Sequence, residues 1–190
     1  MNYTHRSIEP LLEKAAASFP VIVVTGPRQT GKSTLCRHLF SEYSYVTLDD
    51  PIQRSLAVRD PGLFVDSLGP NVIVDEIQYA TQLLPYIKMA VDQERHQSGR
   101  YILTGSQAFQ MMQGVSESLA GRAAIFELLG MDFREVPVDA IKGRDQIFFR
   151  IRQGSYPDTL LHGVDTDIFY SSYIATYLER DLRNLCRSRI

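Results

Sequence analysis

Residues 26–33 of the chain read GPRQTGKS, and they follow the apolar run VIVV at residues 21–24. The octapeptide has the Gly-x-x-x-x-Gly-Lys-Ser spacing of a phosphate-binding loop, which lies between a buried strand and a helix. The two glycines allow the backbone to curl so that successive N–H groups point inward at phosphate oxygens, and the helix adds the positive end of its dipole. The sequence therefore predicts a site for a nucleoside triphosphate.

The residue types in this loop indicate how it would hold the phosphates. Lys32 supplies a positive charge for the β- and γ-phosphates, and the Ser33 hydroxyl is a typical ligand for Mg²⁺. Arg28 stands at a variable position of the pattern and is expected to be solvated rather than catalytic. A glycine-rich turn without a nucleotide is the alternative, and the apolar strand in front of the loop argues against it. The residues predicted to contact the nucleotide are Gly26, Pro27, Arg28, Gln29, Thr30, Gly31, Lys32, Ser33 and Thr34.

The composition is that of an ordinary globular domain. The chain has 190 residues, of which 44% are hydrophobic and 22% charged, with a formal net charge of −2. This length allows one sizeable domain and the start of a second. The lack of excess positive charge argues against a domain that coats nucleic acid, and the histidines and cysteines match no metal-binding spacing. The polar start of the chain and its short apolar runs predict no signal peptide and no membrane span, so we expect a cytoplasmic protein.

Apolar runs alternate with helical patterns along the first part of the chain. Short runs rich in β-branched and aromatic residues predict buried strands, and their alternation with helices predicts an α/β fold in which a parallel sheet is covered on both faces. The predicted strands are residues 21–25, 45–48, 72–74, 101–104 and 124–129.

The pattern of apolar residues changes after Gly130. Short apolar pieces replace the regular alternation, and a long helical pattern runs from about residue 167 to residue 187. We therefore predict a nucleotide-binding core at residues 1–140 and a helical extension at residues 141–190.

Two carboxylates, Asp75 and Glu76, follow the predicted third strand. Because ligands of parallel sheets bind beyond the carboxyl ends of the strands, both are expected at the same edge as residues 26–33. Asp75 would then join Ser33 as a metal ligand, and Glu76 would orient and polarise an attacking water molecule. A helix cap is the alternative for an acidic pair after a strand, but the phosphate-binding loop favours the catalytic interpretation.

Two further residues are candidates for contacts with the γ-phosphate. Thr104 ends the fourth predicted strand, where its hydroxyl would contact the phosphate or the attacking water; a simple strand-to-helix turn with Ser106 as a cap is the alternative. Arg122 precedes the last strand, and a guanidinium from the same chain or a neighbour stabilises the charge that develops during transfer. A structural ion pair is an equal alternative for Arg122. The predicted catalytic residues are Lys32, Glu76, Thr104 and Arg122.

Taken together, these segments resemble a widespread prokaryotic group of AAA-type ATPases. The resemblance implies a three-layer P-loop NTPase fold with a five-stranded parallel sheet of order 5-1-4-3-2, and ATP and Mg²⁺ as cofactors. It also implies the metal role for Asp75, the water role for Glu76, the first sensor position for Thr104, and a sensor or finger role for Arg122. The similar motifs occur in order as TGPRQTGKS at 25–33, LDDP at 48–51, VDEIQ at 74–78, LTGS at 103–106, SLAGR at 118–122, GSYP at 154–157 and YIATYLERDL at 173–182.

Members of this group are usually much longer and carry a C-terminal domain that begins near the helix at 173–182. By resemblance, residues 141–190 are the start of such a domain, and most of the domain is missing. The helical pattern agrees, because it is apolar on more than one side and only one side can easily be covered here. We therefore expect an exposed apolar patch or self-association.

The sequence thus predicts an ATP-binding, Mg²⁺-dependent ATPase module that converts hydrolysis into a conformational change of an attached domain or partner. The alternatives are a nucleotide-gated binding module with little hydrolysis and a P-loop small-molecule kinase; Glu76 and the lack of an arginine-rich lid argue against the kinase. Candidate partners besides ATP are a protein or the missing domain, a second copy of the chain, and DNA. DNA is a candidate because of a basic cluster near the end of the chain. Acidic Glu179 and Asp181 interrupt this cluster, so a solvated helix face is favoured. The basic residues are Arg180, Arg183, Arg187 and Arg189.

Overall fold

The computed structural model describes residues 3–94, 97–106, 114–136 and 144–178. The chain forms two compact units. The first comprises residues 1–27 and 31–129, and the second comprises residues 130–190 with the loop residues 28–30. The division follows the last strand of the sheet, which ends at Glu127. That residues 141–190 begin a longer C-terminal domain stays a prediction.

The first unit is an α/β structure in which strands and helices alternate. Its strands are β1 (Val21–Thr25), β2 (Ser44–Thr47), β3 (Val72–Asp75), β4 (Tyr101–Gly105) and β5 (Ala123–Glu127). Its helices are α1 (Glu9–Ala16), α2 (Lys32–Leu39), α3 (Pro51–Arg59), α4 (Pro61–Ser67) and α5 (Leu84–Gln93), with a 3-10 helix at Ile77–Leu83 and a helical segment at 114–118.

The five strands form one parallel sheet in the order β2-β3-β4-β1-β5. This order confirms the expected 5-1-4-3-2 arrangement, read from the opposite edge. All four neighbouring strand pairs are parallel, and Val21 lies opposite both Tyr101 and Ala123. The carboxyl ends of the strands therefore meet at one edge. The residues after Thr25, Asp75 and Gly105 are therefore brought together.

Side chains that alternate along each strand enter two cores, one on each face of the sheet. Val21 and Val23 of β1 pack on the face covered by α3, α4, α5 and the 3-10 helix. Ile22 and Val24 pack on the opposite face, against α1 and α2. Because both faces are covered, all five residues of β1 are buried, which explains why a central parallel strand reads as an unbroken apolar run.

Two aspartates fix the starts of neighbouring helices. Asp50 accepts a hydrogen bond from the Ile52 N–H at 2.8 Å, and Pro51 occupies the first turn of α3. Asp60 accepts from the Leu63 N–H at 2.9 Å at the start of α4. A side-chain acceptor followed by proline is the usual start of a helix. The LDDP motif therefore has a structural role, in which Asp50 caps α3 directly after the sheet.

The second unit is helical in its described part. It contains α6 (Arg144–Gln153), α7 (Pro157–Leu161) and α8 (Thr166–Tyr173), followed by a π-helical turn at Ile174–Leu178. Asp165 caps α8 by accepting from two backbone N–H groups at 3.0 Å. The rest of the predicted helix to residue 187, with the arginines at 180, 183, 187 and 189, lies outside the described residues.

Aromatic rings make up the interior of the second unit. The Tyr156 ring lies 5.2 Å from the Phe169 ring and 5.0 Å from the Tyr173 ring, between centroids. Phe169 and Tyr173 are buried whereas Ile168 and Ile174 are exposed, so one side of α8 is covered, as the sequence predicts.

Helix α6 presents an apolar surface without a cover among the described residues. None of its residues is buried, although it carries Ile147, Phe148, Phe149 and Ile151. The sequence indicated only a short apolar piece here. No helix in the described part of the chain is long and apolar enough to cross a membrane.

The Asp50 cap of α3 is expected to stabilise the protein, and the neighbouring Asp49 serves as the control position. Asp50→Ala should lower the free energy of unfolding by about 1 kcal/mol, because the Ile52 N–H loses its acceptor. Asp49→Ala should change it by less than about 0.5 kcal/mol, as for an ordinary surface substitution. Urea denaturation of both variants measures the difference, and equal midpoints would contradict the assigned cap.

Candidate functional site

The loop between β1 and α2 has the curled backbone that the sequence predicts. Gly26, Gln29 and Gly31 have positive φ angles of 137°, 62° and 88°. A Cβ atom at Gly26 would lie 2.2 Å from the Leu128 carbonyl oxygen, so only glycine fits there. The loop therefore requires glycine at its first position for close packing as well as for its φ angle.

Lys32 begins α2 with its side chain folded back into the loop. Its Nζ donates to the carbonyl oxygens of Gly26 at 3.0 Å and Pro27 at 2.6 Å, and the residue is buried. Gly31 provides no side-chain cap for α2, so the first N–H groups of this helix are arranged for an anion. The lysine charge and the helix end thus lie together where phosphates are predicted.

Asp75, at the end of β3, accepts hydrogen bonds from hydroxyls on three different elements. The Ser33 Oγ donates to its two carboxylate oxygens at 2.8 and 2.9 Å. The Tyr45 hydroxyl on β2 donates to Oδ2 at 2.7 Å, and the buried Thr104 hydroxyl on β4 donates to Oδ1. The structure therefore brings together the predicted metal ligands, Ser33 and Asp75, and places Thr104 beside them.

The donor set suits Mg²⁺. A hydroxyl and a carboxylate are the hard oxygen ligands that this ion prefers, with phosphate oxygens and water completing six ligands. The described residues contain no group of three His, Cys, Asp or Glu side chains that would form an all-protein metal cage. Ser33 and Asp75 thus fit an ion that is shared with a bound phosphate.

Glu76 leaves the sheet in a left-handed conformation, with φ 59° and ψ 43°. The Gln78 side-chain amide donates to its Oε2, and the Ser106 Oγ lies 3.4 Å from the same oxygen. Burial raises the pKa of the Glu76 carboxyl, while the Gln78 hydrogen bond acts in the opposite direction. Glu76 is therefore a restrained carboxylate next to the predicted metal site.

Cys36 lies behind this site on the buried side of α2. Burial raises the pKa of its thiol to about 12; the nearby charge of Asp75 adds to the shift and that of Lys32 opposes it. The thiol is consequently protonated and uncharged at neutral pH.

Arg122 is the predicted site residue that the structure does not bring to this edge. It directly precedes β5, whose first residue pairs with Val21 at the start of β1. The phosphate-binding loop follows the other end of β1, roughly 16 Å away at about 3.3 Å per residue. Arg122 instead donates to both carboxylate oxygens of Asp92, at 2.7 and 3.0 Å. The structure thus places Arg122 away from the nucleotide-binding edge of its own chain, in the ion pair that was the structural alternative.

Sequence reasoning did not identify Tyr45 and Gln78 as site residues. Tyr45 lies on the edge strand β2, and no motif distinguishes it from other strand tyrosines. Gln78 belongs to the VDEIQ motif, and a polar residue so close to the acidic pair was the feature of the sequence that could have identified it as a site residue. Its contact with Glu76 depends on the left-handed turn, which the sequence pattern does not reveal.

The comparisons with known proteins agree with this geometry. Residues 18–137 match the family model of an AAA domain. The chain is 33% identical over 178 residues to uncharacterized proteins of Mycobacterium bovis and Mycobacterium tuberculosis, covering 92% of this chain and 38% of each relative. It thus spans about two-fifths of the length of these relatives.

Solved structures show the same fold at low identity. A Walker-type ATPase of Pyrococcus abyssi superposes with a TM-score of 0.61 at 19% identity, covering 98% of this chain and 76% of that chain. AMPPCP-bound DnaA from Aquifex aeolicus superposes with a TM-score of 0.54 at 15% identity, covering 92% and 63%. The parallel sheet, the loop after β1 and the family match lead to one conclusion: the chain belongs to the AAA domain family.

Proposed function

We propose that this chain is an ATP-binding, Mg²⁺-dependent ATPase module that drives a conformational change in an attached domain or partner. The observation that supports it most directly is the contact of Ser33 with Asp75, beside the Lys32 ammonium and the Glu76 carboxylate. These are the groups that bind a triphosphate, hold its metal and activate water.

The phosphates would bind to the N–H groups of residues 26–34 and the start of α2. Lys32 would exchange its present contacts with the Gly26 and Pro27 carbonyls for phosphate oxygens, which are stronger, charged acceptors. Mg²⁺, when bound by Ser33 and Asp75, supplies positive charge to the β- and γ-phosphates. Thr104, through its hydrogen bond to Asp75, would sense which nucleotide is present.

Glu76 would act as the general base. Its position directly after Asp75 at the carboxyl edge of the sheet allows it to orient a water molecule beside the γ-phosphate. Burial favours a carboxylate that accepts a proton readily. A base next to the metal site is what a hydrolase needs, whereas a kinase must exclude water.

A nucleotide-gated binding module with little hydrolysis is the second candidate. It is supported by the coverage of the relatives, since the chain spans only 38% of their length. A C-terminal domain, a second copy of the chain or another protein is the proposed partner.

We also propose that Arg122 acts on the nucleotide of a neighbouring copy. Its side chain and that of Asp92 are 28% and 30% exposed, so the ion pair lies at the surface. Exposed ion pairs exchange partners at little cost, and the charge of a triphosphate is a stronger attraction than a single carboxylate.

The first test separates binding from hydrolysis. Lys32→Ala should abolish MgATP binding measured by titration calorimetry, because the phosphates lose their cation. Glu76→Gln should bind MgATP normally and lower kcat for phosphate release by about 10²- to 10⁴-fold, the usual contribution of a general base. Glu13→Gln, on the exposed side of α1, is the matched control and should behave as wild type. Wild-type turnover by Glu76→Gln would exclude the proposed base, and negligible turnover by the wild type would favour the gated module.

The second test concerns the metal. Ser33→Ala should raise the Mg²⁺ concentration needed for half-maximal binding of a fluorescent ATP analogue by about 10- to 100-fold, because the hydroxyl ligand is lost. Ser41→Ala, an exposed serine beyond α2, should leave it unchanged. Chelation of Mg²⁺ by EDTA should abolish phosphate release by the wild type. An unaltered Mg²⁺ requirement in Ser33→Ala would contradict the assignment of the ligand.

The third test asks whether Arg122 serves a neighbour. Arg122→Ala should fold, because its exposed ion pair adds little stability, and should hydrolyse ATP slowly. Mixed with inactive Glu76→Gln, it should regain activity, since Glu76→Gln supplies the arginine and Arg122→Ala supplies the intact site. Mixing Arg122→Ala with Arg122→Ala,Glu76→Gln should restore nothing. Full activity of Arg122→Ala alone would contradict a role for Arg122 at a neighbouring nucleotide and leave its ion pair with Asp92 as its role.

A further inference from the structure

Gln78 is a buried polar residue in an apolar environment. Only 8% of its surface is exposed, and its neighbours in the 3-10 helix, Ile77, Ala80 and Leu83, belong to the core. A glutamine at such a position costs free energy unless its amide is used.

One end of this amide is engaged with Glu76. Nε2 donates to Oε2 of Glu76 and lies 3.3 Å from the Oγ of Ser106. The Ser106 hydroxyl in turn lies 3.4 Å from the same carboxylate oxygen. An ionised carboxylate only accepts hydrogen bonds, so Nε2 and not Oε1 must face it. The chemistry therefore fixes the orientation of the amide.

The backbone of Glu76 makes this contact geometrically accessible. Side chains two residues apart in a helix do not face each other. The left-handed conformation of Glu76, with φ 59°, turns the chain sharply between β3 and the 3-10 helix and returns the Gln78 side chain to the carboxylate. A left-handed glutamate is strained, and such strain persists where surrounding contacts hold it.

The other end of the amide is unsatisfied. Within the part of the chain that the structure describes, the buried Oε1 of Gln78 has no hydrogen-bond donor. A buried acceptor without a donor is costly. The same burial keeps water away from this atom, so the free-energy cost of placing the amide here is offset at its other end, by the contact of Nε2 with Glu76.

We propose that Gln78 is a positioning residue of the active site, which holds the general base in place for the attacking water. This inference rests on the proposed ATPase function. Nε2 holds the Glu76 carboxylate in the position from which it takes a proton from the water. The water oxygen forms the new bond to the γ-phosphorus, and the bond from that phosphorus to the β–γ bridging oxygen breaks. The bridging oxygen keeps the electron pair, Glu76 takes one water proton, and Gln78 neither gains nor loses a proton.

The test is Gln78→Leu, which preserves side-chain size and removes both hydrogen-bonding groups. We expect kcat to fall by about 10- to 100-fold, within the range of a misaligned base, while KM for MgATP and the affinity for ADP change by less than about twofold. The affinity for ADP with aluminium fluoride, which imitates the transferring phosphoryl group with its water in place, should fall by the same factor as kcat. The thermal midpoint should be equal or higher, since an unsatisfied buried acceptor is gone.

Gln82→Leu is the matched control. Gln82 lies in the same segment, beyond a kink at Ala80, and is exposed, so the same substitution there should leave kcat, both affinities and the midpoint at wild-type values. A loss of kcat in Gln78→Leu that comes with an equal loss of ADP affinity and a lower midpoint would indicate a structural role and overturn the inference.

Failure of this inference and failure of the proposed function are distinguishable. Gln78→Leu with wild-type kcat and wild-type affinity for ADP with aluminium fluoride, beside an inactive Glu76→Gln, overturns the role of Gln78 alone. A wild-type chain without turnover, or Glu76→Gln with full turnover, overturns the proposed hydrolysis and the role of Gln78 with it.

Discussion

The buried Asp75 carboxylate is the constraint on which the rest of the site depends. A negative charge inside a protein is tolerated only when hydrogen bonds replace its lost water, and Asp75 receives them from Ser33, Tyr45 and Thr104. Each donor comes from a different element, namely α2, β2 and β4. The three hydroxyls reach one carboxylate only if the strand order and the register of the sheet are correct, so the fold and the site are specified by the same contacts.

The two edges of the sheet have different chemistry. The carboxyl edge carries the loop after β1 together with Asp75 and Glu76, all within one chain. The amino edge carries the Arg122–Asp92 ion pair, which is separated from the loop by the length of β1. The groups that we propose to bind and hydrolyse ATP therefore lie at one end of the sheet, and the Arg122 guanidinium lies at the other.

The sequence was informative where local chemistry determines the structure. The loop spacing and the acidic pair could be identified because phosphate binding needs those residue types, and β1 could be identified because a strand buried on both faces is apolar throughout. The location of Arg122 was also available from the sequence, because Arg122 precedes the predicted last strand and residues before a parallel strand lie at the edge opposite to the ligand-binding one. The contacts of Tyr45 and Gln78 depend on sheet register and on a left-handed turn, and neither has a periodic signal. The bounds of helix α6 within the predicted helical extension were not identified, since Ile147, Phe148 and Phe149 are consecutive and do not repeat at the helical period.

The neutral thiol of Cys36 has a consequence for the chemical durability of the site. Thiolates, not thiols, are alkylated and oxidised, and the burial that keeps this group protonated also shields it from reagents. The interior behind Ser33 and Asp75 is therefore inert for as long as α2 stays packed on the sheet. When the helix separates, the same thiol becomes ionisable and reachable, so covalent damage at Cys36 would accumulate only in molecules that have already opened.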